Sequence, residues 1–137
     1  MIKFITGAKG TGKTKIIIDM ANDNVETAKG DIVFVTDTDR YMYSLRYQVR
    51  VVNAKQLKKG DAPISEEALI GFIKGLLAGN HDIETLYIDC AHRMLGKTVF
   101  EMEDFFNDIR EVAKNTNTQF VITVSENEEN FPEFLRK

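Results

Sequence analysis

Short continuous apolar runs alternate along this chain with stretches in which apolar residues recur every three or four positions. The first pattern fits buried strands and the second amphipathic helices. Ile2-Lys3-Phe4-Ile5-Thr6 predicts a short strand, and Lys13 to Ala21 the helix after it. Asp31-Ile32-Val33-Phe34-Val35-Thr36, opened by Lys29-Gly30, predicts a buried second strand. Asp39 to Gln48 reads as a short helix or a loop, and Val49-Arg50-Val51-Val52 as a further strand. After a turn at Lys58–Pro63, Ser65 is placed to cap a helix from Glu66 to Ala78, ended by Gly79-Asn80. Glu84-Thr85-Leu86-Tyr87-Ile88-Asp89 predicts an apolar strand ending on an acid. Phe100 to Lys114 is strongly periodic, with Met102, Phe105, Ile109 and Val112 on one face. Gln119 to Val124 predicts the last strand. The tail from Glu126 to Lys137 ends in Phe131-Pro132-Glu133-Phe134-Leu135, whose two aromatics are expected to dock.

Apolar strands separated by amphipathic helices predict an α/β protein, a three-layer αβα sandwich with a mainly parallel sheet covered on both faces. In such sheets ligands bind beyond the carboxyl ends of the strands. The length of 137 residues suits one compact domain, residues 1–137, and a hydrophobic fraction of 43% supplies a core. The lone cysteine, Cys90, excludes an internal disulfide and a multi-cysteine zinc site. No apolar run has the length of a membrane span, and Met1 leads into the first strand without a signal-peptide pattern, so a cytoplasmic protein is expected.

Charge changes the picture. The net charge is -3, yet residues 1–60 carry eleven Lys/Arg against six Asp/Glu, and residues 61–137 carry seven against fifteen. The basic half favours an anionic ligand. The acidic half argues against a broad nucleic-acid surface and leaves a local one open.

Within the basic half, Gly7-Ala8-Lys9-Gly10-Thr11-Gly12-Lys13-Thr14 matches the phosphate-binding P-loop pattern G-x-x-x-x-G-K-[ST] at every position, between a predicted strand and a predicted helix. Glycines at 7, 10 and 12 let the main chain approach a polyphosphate, and successive N–H groups at a helix start favour an anion. Lys13 supplies a charge for the β- and γ-phosphates, and the Thr14 hydroxyl a ligand for Mg²⁺. A nucleoside triphosphate, ATP or another, with Mg²⁺ is the expected ligand. The partner acid for the metal is Asp89, at a strand end, with an N-cap role as the alternative. Asp37 and Asp39, past the second strand, are placed to orient a water or a substrate hydroxyl, or act as plain turn formers.

With these residues the chain resembles the RecA-like branch of the P-loop NTPases. The likeness covers the phosphate loop, the Asp89 strand, and a later strand ending near Ser125 and Asn127, where that branch keeps a polar sensor. Asp89-Cys90-Ala91-His92 is similar to its Asp-Glu-Ala-His box, with Cys90 in place of the water-polarising glutamate. A neutral thiol does not take up a proton as a carboxylate does, so Cys90 is expected to pack in the core. Lys29–Phe34, Asp39-Arg40-Tyr41 and Phe131–Leu135 are similar to segments of the thymidine kinase family, but that family's glutamate and four-cysteine zinc site are missing.

Arg40, Tyr41, Tyr43, Arg46, Tyr47 and Arg50 crowd into eleven residues. Three readings stay open. The segment could stack on a nucleobase or single strand, send Arg40 or Arg46 to a γ-phosphate in cis or in trans, or pack as an amphipathic helix. Neither histidine has the spacing of a metal site: His81 is expected at the surface or as a cap, and for His92, three past Asp89, a place near bound nucleotide is the minor alternative. The functional expectation is an ATP-binding protein with slow Mg²⁺-dependent hydrolysis, in which Lys13 is catalytic and Asp37 or Asp39 replaces the glutamate. The alternatives are a non-hydrolysing nucleotide switch or subunit, and a small-molecule kinase. A homo-oligomer or protein partner is compatible with so bare a core.

Overall fold

A computed structural model, described over residues 1–136, places five strands in one parallel sheet. Lys137, and with it the last position of the expected domain and tail, lies outside the described residues. The strands are β1 (Ile2–Gly7), β2 (Asp31–Thr36), β3 (Val49–Asn53), β4 (Ile83–Ile88) and β5 (Gln119–Ser125), in the order β1-β5-β4-β2-β3. The helices are α1 (Lys13–Asn24), α2 (Glu66–Gly79), α3 (Ala91–Leu95) and α4 (Glu103–Lys114).

Strand alternation sorts the side chains into two layers of core. Ile32, Phe34, Tyr87 and Val121 face one way and pack against Ile17, Ile18 and Ala21 of α1. Val33, Val35, Leu86, Ile88, Phe120 and Ile122 face the other, beneath the buried residues of α2, α3 and α4. Five consecutive buried residues in β2, Ile32 to Thr36, are therefore the mark of a strand covered on both faces. The expected three-layer sandwich is borne out, and among the described residues every named strand pairing is parallel.

Helix α2 begins as its sequence predicts. Ser65 Oγ accepts a hydrogen bond from the Ala68 amide at 3.1 Å, satisfying one donor of the first turn. The tail also docks. Phe131 and Leu135 are buried, Phe4 meets the rings of Phe106 and Phe131 edge-on, and Phe134 lies 6.3 Å from Phe106. The Gly7 amide donates to the Glu126 carbonyl, so the turn before the tail is tied to the phosphate-loop strand.

One alternative closes, one expectation changes and one element is new. The segment 39–48 is loop with one 3₁₀ turn, Met42–Ser44, so its arginines and tyrosines form no helical stripes. Tyr43 and Tyr47 are 95% and 91% exposed, which also rules out half-buried amphipathic packing for their rings. The periodic stretch from Phe100 does not run as one helix. Val99–Glu101 forms a 3₁₀ turn, closed where Glu101 accepts from the Thr98 amide at 3.0 Å, and α4 starts afresh at Glu103. Helix α3, too short to show a period, was not predicted.

Candidate nucleotide site

The loop from Gly7 to Lys13 joins the carboxyl end of β1 to α1, and its conformation requires glycine where the pattern has it. Gly12 at φ 85° caps α1 in the left-handed region, and a Cβ on Gly7 would meet Thr11 Oγ1 at 2.5 Å. The loop is closed on its own lysine. Lys13 Nζ donates to the carbonyls of Gly7 at 2.9 Å and Ala8 at 2.8 Å, and Thr11 Oγ1 donates to Ala8 O at 2.7 Å.

Strand order sets the opposite wall. Because β5 lies between β1 and β4, Asp89 at the end of β4 stands one strand away from the loop strand. Asp89 is wholly buried on the α1 face. Its carboxylate accepts from Thr14 Oγ1 at 3.1 and 3.4 Å and from Thr123 Oγ1 at 3.1 Å, while the Cys90 amide donates to Thr123 Oγ1 at 2.9 Å. Thr123 thus passes a fixed hydrogen-bond direction from backbone to carboxylate. Thr14, in turn, keeps its oxygen lone pairs free for a cation. Hydroxyl and carboxylate oxygens suit Mg²⁺, which takes few protein ligands and keeps waters and phosphates. Among the described residues no cluster of three or more His, Cys, Asp or Glu offers a denser metal site. Strand register also sets the fully buried Thr36 beside Asp89, and its hydroxyl has no partner. Buried polar groups of this kind are uncommon, and Thr36 does not itself line the loop cavity.

Cys90 does not pack in the core as expected. It is half-buried on the cavity wall, and at φ 66°, ψ 44° it is the one non-glycine residue with positive φ among those described. That conformation turns the chain from β4 into α3. Burial and then the Asp89 charge push the thiol up to about 11, so it stays neutral near pH 7 and serves as no base.

Asp37, just past β2, accepts from Arg93 Nε at 2.8 Å and Nη2 at 2.6 Å. Asp39 lies further out, accepting from Asn53 Nδ2 at 2.9 Å. Neither acid lines the loop cavity, whereas Arg93 does. His92 also lines the cavity. Its Nδ1 is buried without a partner, and desolvation, then Arg93 and Lys13, hold the imidazole below its usual range and neutral. His81 is exposed, as expected. Arg46 pairs with Glu26, and Arg50 with Asp31 at the start of β2, so both are engaged at the end of the sheet away from the loop. Of the expected sensor positions, Ser125 lines the cavity and Asn127 is exposed. Sequence reasoning missed Thr123 and Arg93. The first sits inside an apolar strand, and the second is one arginine among several.

These groups enclose about 550 Å³ between the phosphate loop, Asp89 and the half-exposed Phe100. A second cavity of about 590 Å³ lies at the opposite end of the strands, between α2 and α4. Neither unpaired buried atom, on Thr36 or His92, belongs to a residue that lines it.

Sheet order, loop and Asp89 together define a P-loop NTPase of RecA-like fold. Residues 1–130 match the family described as AAA domain, and the chain belongs to that family. Among solved structures it is similar to the flagellar accessory protein FlaH from Methanocaldococcus jannaschii, at 14% identity and a TM-score of 0.52. The match covers 96% of this chain and 63% of the FlaH chain, a likeness of fold alone. No curated protein matches the sequence. Neither similarity is to a thymidine kinase.

Proposed function

We propose that the chain binds ATP with Mg²⁺ and hydrolyses it slowly. The observation that carries this reading is the meeting of Thr14, on the phosphate-loop helix, with the buried Asp89 carboxylate across the loop cavity. Lys13 exchanges its two loop carbonyls for β- and γ-phosphate oxygens. Thr14 and Asp89 would hold Mg²⁺, which when bound neutralises charge developing on the phosphates. Water's oxygen forms a bond to the γ-phosphorus while the bond to the β–γ bridging oxygen breaks, leaving ADP and phosphate. The water's proton goes to a carboxylate. Cys90 is unsuited to that task, and Asp37 is the better placed of the two remaining acids, since its partner Arg93 lines the loop cavity. Asp39 is the alternative, held through Asn53.

The engagement of Asp37 by Arg93 favours a second reading, a nucleotide-binding switch that does not turn over. A kinase acting on a small acceptor is the third. Calorimetric titration of Mg-ATP into the wild type should show binding that Lys13→Ala weakens by at least a hundredfold. No heat from the wild type removes all three readings. With γ-labelled ATP, free phosphate supports hydrolysis, tight binding without turnover supports the switch, and label on an added acceptor supports the kinase.

A further inference from the structure

Two cations at the loop cavity lie outside the phosphate-loop motif, Arg93 and Lys97. Arg93 projects from α3, and its guanidinium is filled by both oxygens of Asp37. A guanidinium is always charged, and its planar fork fits a phosphate as well as a carboxylate. The two partners differ in freedom. The Arg93 side chain is 51% exposed on the cavity wall, while that of Asp37 is 16% exposed at the end of its strand. The arginine can therefore swing on its stem, and the carboxylate stays. The other lysines on this wall are differently held: Lys9 and Lys13 belong to the loop itself, and Lys97 is tied to Glu66. Arg93 lines the same cavity as Lys13 and Thr14, and the phosphate that a P-loop lysine and a threonine-held cation share last is the terminal one of a triphosphate.

We propose that Arg93 senses the γ-phosphate: it leaves Asp37 for a γ-phosphate oxygen when a nucleoside triphosphate binds, and stays on Asp37 with a diphosphate. The inference rests on the nucleotide-binding reading above. Its consequence is that the same ligand that fills the site uncaps Asp37, the carboxylate placed to receive water's proton. With diphosphate bound, Asp37 remains capped. The ion pair thereby competes with the triphosphate, and the cost of opening it falls on ATP and not on ADP.

Affinities for Mg-ATP and Mg-ADP, measured separately, test this. Arg93→Gln should weaken ATP about tenfold and leave ADP within about twofold, in keeping with the loss of one charge-assisted contact. Asp37→Asn removes the competitor, so ATP should bind severalfold more tightly, ADP unchanged, while turnover falls. Tighter triphosphate binding with slower turnover is a pair of changes that a purely structural brace does not give. Equal losses for both nucleotides in both variants overturn the proposal. Where these variants do not fold, arginine Nε–Hε NMR of the wild type reads the same exchange, with Arg93→Lys used for assignment. The Arg93 resonance should shift with a non-hydrolysable triphosphate and not with ADP; the same response to both overturns the sensor. Failure of the wild type to bind either nucleotide removes the nucleotide reading itself. Binding of both with a ratio indifferent to Arg93 removes only the sensor.

Discussion

Cys90 shows how much one residue's backbone can decide. Its place in the Asp89-Cys90-Ala91-His92 run suggests a lost catalytic glutamate, whereas its left-handed conformation gives it a second role, turning the chain from β4 into α3. The thiol is raised to about 11 by burial and by the neighbouring carboxylate. A raised acid is stabilising while protonated: its contribution is whole below the ordinary thiol range and is lost as pH climbs through about 11. Alkylation of the native protein should therefore be slow at pH 8 and accelerate only toward pH 11, monitored by intact mass. In the unfolded chain the same thiol should react from about pH 8.5. Equal rates in the two states at pH 8 would contradict the assigned environment. The loop lysine was legible from its motif, but its resting partners, the carbonyls of Gly7 and Ala8, follow from loop geometry.

At the scale of elements, the strands and the longer helices were legible because each carries its own period. β2 and β5 are continuous apolar runs, and α1 and α2 repeat apolar residues on one face. Misreadings fell where local pattern and tertiary packing compete. Met102 keeps helical spacing with Phe105, yet the Thr98–Glu101 box closes a separate turn before it and leaves Phe100 half-exposed at the cavity. The arginine-tyrosine segment, open between helix and loop in the sequence, is a loop with one 3₁₀ turn, and Arg46 and Arg50 are drawn to Glu26 and Asp31. The tail was legible in outline. Phe131 is buried against Phe4, so Phe131→Ala should cost about 3 kcal/mol in urea denaturation. A change below about 0.5 kcal/mol would mean that the tail does not belong to the cooperative core.

At the scale of the whole molecule, ligand and fold share one equilibrium. Nucleotide bound to the folded state alone, at a hundred times its dissociation constant, stabilises by about 2.7 kcal/mol. Mg-ATP should then raise the melting temperature by roughly 10 °C, and Lys13→Ala should abolish the shift. A shift that survives this substitution would place binding elsewhere, the cavity between α2 and α4 being the alternative. No helix among the described residues is long and apolar enough to cross a membrane.

What the sequence determined by itself is local in origin: the glycine-lysine-threonine loop between strand and helix, the alternation of apolar runs, and an acid at the end of one of them. Each is written in neighbouring residues, whose periodicity and backbone freedom need no distant partner. What only the tertiary structure decided is the company those residues keep. Thr14 meets Asp89 across 75 positions, Thr123 reaches the same carboxylate across 34, and Arg93 takes Asp37 across 56. Such pairings depend on strand order, with β5 set between β1 and β4, and strand order is fixed by burying both faces of the sheet at once. No local period encodes it.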